Sequence, residues 1–192
     1  MVNTLRNRYF SVVWAILRIF LGYVWLSAAF EKLGSFSAYV GSHAGTAVSG
    51  YLHGALAQTT GAHPQVTSLW AWLIHVLFLP TAGFWSVVVT FGELLVGIAL
   101  VLGVLTGTAL MGALVMNMAY MLSGSATTNP VMFALEAGML VLGPVVAYWG
   151  LDHWLFHDWN GRHLLFHPAI SRRAMAGHVP DTPTPTAPRR TA

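Results

Sequence analysis

From Tyr9 to Leu151 the chain carries formal charge only at Arg18, Glu31, Lys32, Glu93 and Glu136. The stretches between these residues are apolar and long, and that combination leaves few folds open. Crossing about 30 Å of hydrocarbon takes about 20 consecutive apolar residues. Four windows meet or approach that length, at residues 9–30, 83–105, 107–122 and 131–151. The 192 residues suit one compact domain, with 56% hydrophobic and 8% charged side chains. Soluble domains carry roughly a quarter charged residues. A chain this short cannot turn so much apolar surface away from water, and lipid is the solvent that fits it. The expected fold is an all-α integral membrane four-helix bundle.

Punctuation sets the helix boundaries. The second and third windows form one apolar run, too long for a single span, broken only by Gly103 and the Thr106-Gly107 pair. A tight helical hairpin belongs there. Residues 123–130 hold Gly124, Asn129 and Pro130, turn formers that separate the third helix from the fourth. Between the first and second windows, residues 34–82 begin rich in Gly, Ser, Thr, Ala and His and end in "SLWAWLIHVLFL". That apolar stretch is too short to span. Trp70 and Trp72 place it at the membrane interface, since tryptophan gathers there; a short helix packed over the bundle is the alternative. The first 176 residues form the transmembrane domain. The tail, residues 177–192, is Pro- and Thr-rich, cannot build a core and reads as disordered.

The N-terminus resembles a signal peptide in having Arg6 and Arg8 before an apolar run, but the run is too long for a signal core and no small-residue cleavage site follows. Arg6 and Arg8 precede the first helix. Arg162, Arg172, Arg173, Arg189 and Arg190 follow the fourth, and residues 34–82 contain neither Lys nor Arg. The positive-inside rule therefore puts both termini in the cytoplasm and the long loop outside, in a multi-pass protein of the inner (plasma) membrane. An even number of spans agrees. The net charge of +3 comes from the ends, and with no basic patch interleaved with aromatics there is no sign of nucleic-acid binding. The chain has no cysteine, which excludes disulfides, thiolate metal sites and electron transfer through its own thiols.

Ionisable groups inside a membrane are costly and need partners. At about 1.5 Å per residue, Glu31 and Lys32 lie at the outer boundary, while Glu93, Asn117 and Glu136 fall between the midplane and the outer interface. Arg18 sits in the cytoplasmic half, where its long side chain is expected to snorkel to the inner surface. Interhelical hydrogen bonds alone would explain any one of the outer groups. Together they suggest a polar pocket open to the outside, suited to a small amphipathic or redox ligand such as a quinone. In that reading Glu93 and Glu136 are the catalytic, proton-handling groups, and Glu31, Lys32 and Asn117 bind the quinone. The pairs His153/His157 and His163/His167 have i, i+4 spacing, but interleaved Trp154, Phe156 and Trp159 and the breaker Gly161 argue against a metal site. No histidine lies near the middle of a span, which argues against haem held in the bundle.

Three stretches carry a family resemblance. "RIFLGYVWLSAAFEKLG" resembles the first helix of the DoxX-like membrane proteins. "FGELLVGIALVLGVLTGTALMGALVMNMAYMLSGS" is similar to their second and third, with a glutamate opening a glycine-rich helix before a tight turn. "NPVMFALEAGMLVLGPVVAYWGLDHWL" resembles the fourth, including the late "GLD". The tryptophan-bearing loop and "SGSATTNP" look most like the DoxD branch, which supplies a subunit of a thiosulfate:quinone oxidoreductase. The resemblance implies a membrane subunit passing electrons from a small reductant such as thiosulfate, or from a partner protein, to quinone. It also implies a second subunit, and none is fused here; a homo-oligomer is the other expectation. Two rival classes stay open: an accessory or scaffold subunit, for which glycine-rich helices suit close contacts, and a small-solute or ion transporter using the carboxylates as a relay.

Overall fold

The computed structural model describes residues 10–156. Their regular structure is helical, and three helices are long and apolar enough to cross a membrane: Ser11–Gly34, Ala82–Leu102 and Asn129–Ala147, the last including a 3-10 turn. In chain order the α-helices are α1 (Ser11–Gly34), α2 (Phe36–Tyr39), α3 (Thr46–Leu56), α4 (Ser68–Leu73), α5 (Ala82–Leu102), α6 (Thr106–Leu122), α7 (Asn129–Leu142) and α8 (Leu151–Phe156). The 17 residues of α6 rise about 25 Å, slightly less than a typical hydrocarbon core.

Helix α1 runs past the expected boundary at Phe30, because Glu31 and Lys32 are themselves helical and the chain turns only after Gly34. It packs closely along α5. A Cβ on Gly22 would lie 2.8 Å from Val101, and one on Gly97 would lie 2.7 Å from Leu26. Lipid gives helices no hydrophobic drive to associate, so small residues that let backbones meet do that work through packing. The α5–α6 hairpin closes where the sequence places it. Gly103 ends α5 at φ 67° and Leu105 follows at φ 49°. Both are left-handed, and the leucine is held there by its backbone N–H bond to Asp152.

The fourth apolar window departs from expectation. It is not one helix over residues 131–151. Helix α7 stops at Leu142, Gly143–Ala147 form a 3-10 turn, and α8 begins at Leu151. Gly143 is at φ 69° and Pro144 follows it; proline has no N–H to continue the ladder and its ring clashes with the preceding turn.

The segment between α1 and α5 carries more helix than its Gly- and Ser-rich first half suggests. Helix α3 and the α4 region form a small second core of Leu52, Ala55, Val66 and Ile74, with Trp70 and Phe78 packed against it. Leu69, Trp72 and Val76 on the other side of the α4 region are exposed. This segment thus has one face on the bundle and one apolar face outward.

The main core is Leu21, Trp25, Val96, Leu100, Leu110, Ala113, Met139, Val145 and Val146. Its setting is the reverse of a water-soluble protein's. Arg18, Glu93, Asn117, Glu136 and Asp152 are buried, while Leu95, Val115 and Val141 are exposed at 65%, 63% and 68%. Charges inside and large aliphatics outside belong to a helix bundle whose surroundings are lipid.

Candidate functional site

Two polar layers cross the interior, joined by α1 and α6. In the outer layer the Lys32 ammonium on α1 donates to Glu93 Oε2 on α5 at 2.7 Å, and the Tyr120 hydroxyl on α6 donates to Glu93 Oε1 at 2.5 Å. Glu93 is 1% exposed, whereas the Lys32 side chain is 18% exposed. The ion pair therefore bridges from the bundle's interior to its rim. Aromatic rings surround it. Lys32 Nζ lies 5.9 Å from the Tyr39 ring centre, and the Tyr51 and Tyr120 rings meet edge to face at 6.1 Å. Tyr51 also donates its hydroxyl to the Tyr120 carbonyl at 3.3 Å, tying α3 to the end of α6.

In the deeper layer the Trp25 indole N–H on α1 donates to Glu136 Oε1 on α7 at 2.9 Å. The Asn117 amide on α6 donates to Glu136 Oε2 at 2.8 Å. A carboxylate can only accept, so the amide turns its NH2 toward it. That leaves Asn117 Oδ1 buried without a hydrogen-bond partner. Asn117 and Tyr120 are three residues apart on one face of α6, about 4.5 Å in rise. Each layer joins three helices, and α1 and α6 contribute to both.

Of the residues singled out from the sequence, Lys32 with Glu93 and Asn117 with Glu136 are in direct contact. Glu31 is not among them and is exposed. The reason is helical geometry: adjacent residues point about 100° apart, so an α1 that aims Lys32 at Glu93 turns Glu31 away. Trp25 and Tyr120 are the site residues that sequence reasoning passed over. Tyr120 follows Asn117 by three and Trp25 precedes Lys32 by seven, spacings that put each on its partner's helix face.

Arg18 departs from the snorkelling expectation. It is 1% exposed, and its Nη2 donates to the Trp149 carbonyl at 3.0 Å. Its guanidinium occupies space left by two glycines; a Cβ at Gly103 or Gly150 would lie 1.5 or 2.6 Å from Nη1. Next to it, Asp152 accepts from the backbone N–H groups of Leu105 at 2.6 Å and Thr106 at 2.9 Å. This carboxylate caps the start of α6, where helix N–H groups lack partners of their own. Among the described residues no cluster of three or more His, Asp and Glu could hold a metal. His153 stacks near Tyr148 with ring centres 4.8 Å apart; His157, His163 and His167 and the tail lie outside the described residues. No family model, curated protein or solved structure significantly matches the chain.

Proposed function

We infer that the chain is a DoxX-like, DoxD-type membrane subunit of a quinone-linked oxidoreductase. In this reading it is a four-helix bundle of the inner (plasma) membrane with both termini cytoplasmic, and α6 also spans, third in chain order after α1 and α5. It passes electrons from a small reductant such as thiosulfate, or from a partner protein, to quinone. The observation that carries the reading is the Lys32–Glu93–Tyr120 layer. It combines a partly exposed cation, a buried carboxylate and a phenol at the outer rim, among aromatic rings that suit a flat apolar headgroup. Reducing a quinone consumes two electrons and two protons. Glu93 and Tyr120, already sharing a hydrogen bond, are groups that can hand on those protons. Lys32 balances the charge of the carboxylate and offers a hydrogen-bond donor to a quinone oxygen, and Asn117 and Glu136 extend the polar path inward.

One observation favours a second reading, an accessory or scaffold subunit. All four carboxylate oxygens of Glu93 and Glu136 are already bonded by neighbouring side chains, as in an interhelical lock. Photolabelling in lipid nanodiscs with an azido-quinone separates the two. The redox reading expects label on peptides containing Lys32 to Tyr39 or Tyr120, displaced by excess unmodified quinone. Absent or undisplaced label contradicts it and leaves the accessory subunit.

A further inference from the structure

Helix α5 carries a second polar feature above the ion pair. Ser86, Thr90 and Glu93 recur at i, i+4 and i+7, and at about 100° per residue they lie within about 60° of arc on one face. Ser86 and Thr90 are 0% exposed and Glu93 1%. Nothing apolar on the rest of the helix requires this stripe: its outward residues Phe84, Val88 and Leu95 face away from the bundle.

The hydroxyls are not spent on one another. Thr90 donates to the Ser86 carbonyl at 2.8 Å, which leaves the lone pairs of its oxygen free to accept. The Ser86 hydroxyl is buried and has no hydrogen-bond partner, and the same holds for the indole nitrogen of neighbouring Trp85. Buried polar atoms are nearly always satisfied by protein or by ordered water. Ser86 lies two turns from Glu93 on the same face of α5, so its unpartnered hydroxyl is free to bond a water on the side that leads to the carboxylate.

We propose that Ser86 and Thr90 line a hydrated path by which protons from the outer face reach the Glu93 carboxylate. The path starts at the buried, unpartnered Ser86 hydroxyl near the N-terminal end of α5. It descends about 10 Å along α5 to Glu93. Each hop breaks one O–H bond and forms the next, ending with the proton on a Glu93 oxygen. The ionisable groups facing that carboxylate are Lys32 from α1 and Tyr120 from α6. Tyr39 from α2 lies beyond Lys32, and Tyr51 from α3 lies beyond Tyr120. The proposal rests on the reading of Glu93 as a proton-handling group, and it assigns the route that resupplies it.

Radiolytic hydroxyl-radical footprinting of the full chain in nanodiscs tests it, because buried side chains are oxidised where water is held beside them. In the native protein the half-buried Trp85 and Tyr120 are expected to be oxidised. Ser86→Val and Thr90→Val, which fill or remove the hydroxyls, should each cut that labelling several-fold. Thr90→Val is nearly isosteric and keeps the test valid if Ser86→Val does not fold. Unlabelled Trp85 and Tyr120 in the native protein, or labelling unchanged in folded Thr90→Val, would overturn the proposal. Quinone photolabelling of Thr90→Val keeps the two readings apart: a variant that loses water labelling but keeps quinone labelling supports the path, and native protein with water labelling but no quinone labelling removes the quinone reading alone.

Discussion

Glu136 has one donor on each oxygen, Trp25 and Asn117, and neither donor has another acceptor shown to it. That makes the consequences of substitution unequal. In Glu136→Gln the new amide oxygen still accepts from Trp25, and its NH2 can face the unpartnered Asn117 oxygen after an amide flip. The expected loss is under about 1 kcal/mol. Glu136→Leu strands two buried donors and should cost about 2–5 kcal/mol. Thermal unfolding in a mild detergent measures both, and equal losses would mean that the layer does not hold the helices together. Lys32, Glu93, Asn117 and Glu136 were legible in the sequence because a charge or an amide in an apolar run has no bland place to go. Trp25 and Tyr120 were not, since aromatics are ordinary in such runs and only the fold tells a lipid-facing ring from one that donates to a carboxylate. Arg18 was visible but misplaced: its burial depends on Gly103 and Gly150, which lie far from it along the chain.

Among the elements, the α5–α6 turn is the most constrained. Gly103 combines a left-handed φ of 67° with a site where an added Cβ would lie 1.5 Å from Arg18 Nη1. Gly103→Ala must strain the backbone and displace a buried guanidinium, and should cost about 2–4 kcal/mol. Gly138 on α7 has open space around it, so Gly138→Ala should change stability by no more than about 0.5 kcal/mol. A comparison of the two melting temperatures decides this, and similar values would count against the packing described. Hydropathy and glycine punctuation located the long helices and the hairpin. They did not reveal the stop at Gly143–Pro144, because the residues on either side are as apolar as a continuous span. They also missed α3, whose Gly- and Ser-rich sequence has weak helix propensity and which depends on Leu52 and Ala55 packing against Val66 and Ile74.

At the scale of the whole molecule, buried charges and exposed aliphatics suit a bundle in lipid, and the orientation proposed from the arginine distribution, with both termini cytoplasmic, is open to direct test. The chain has no cysteine, so single cysteines report sidedness without background. His63→Cys and Ala126→Cys should react with an impermeant maleimide in intact cells, and Arg6→Cys only after permeabilisation; the opposite pattern would invert the orientation. We propose that the polar layer around Glu93 holds a quinone. The most direct test is solvent extraction of quinone from protein purified in native-like lipid, comparing the native chain with Glu93→Gln and with Gly138→Ala as a folded control. Bound quinone is expected in the native chain and the control, and at least about tenfold less in Glu93→Gln, for a loss of about 1.4 kcal/mol or more in binding. Folded protein that carries no quinone in any of the three would contradict it.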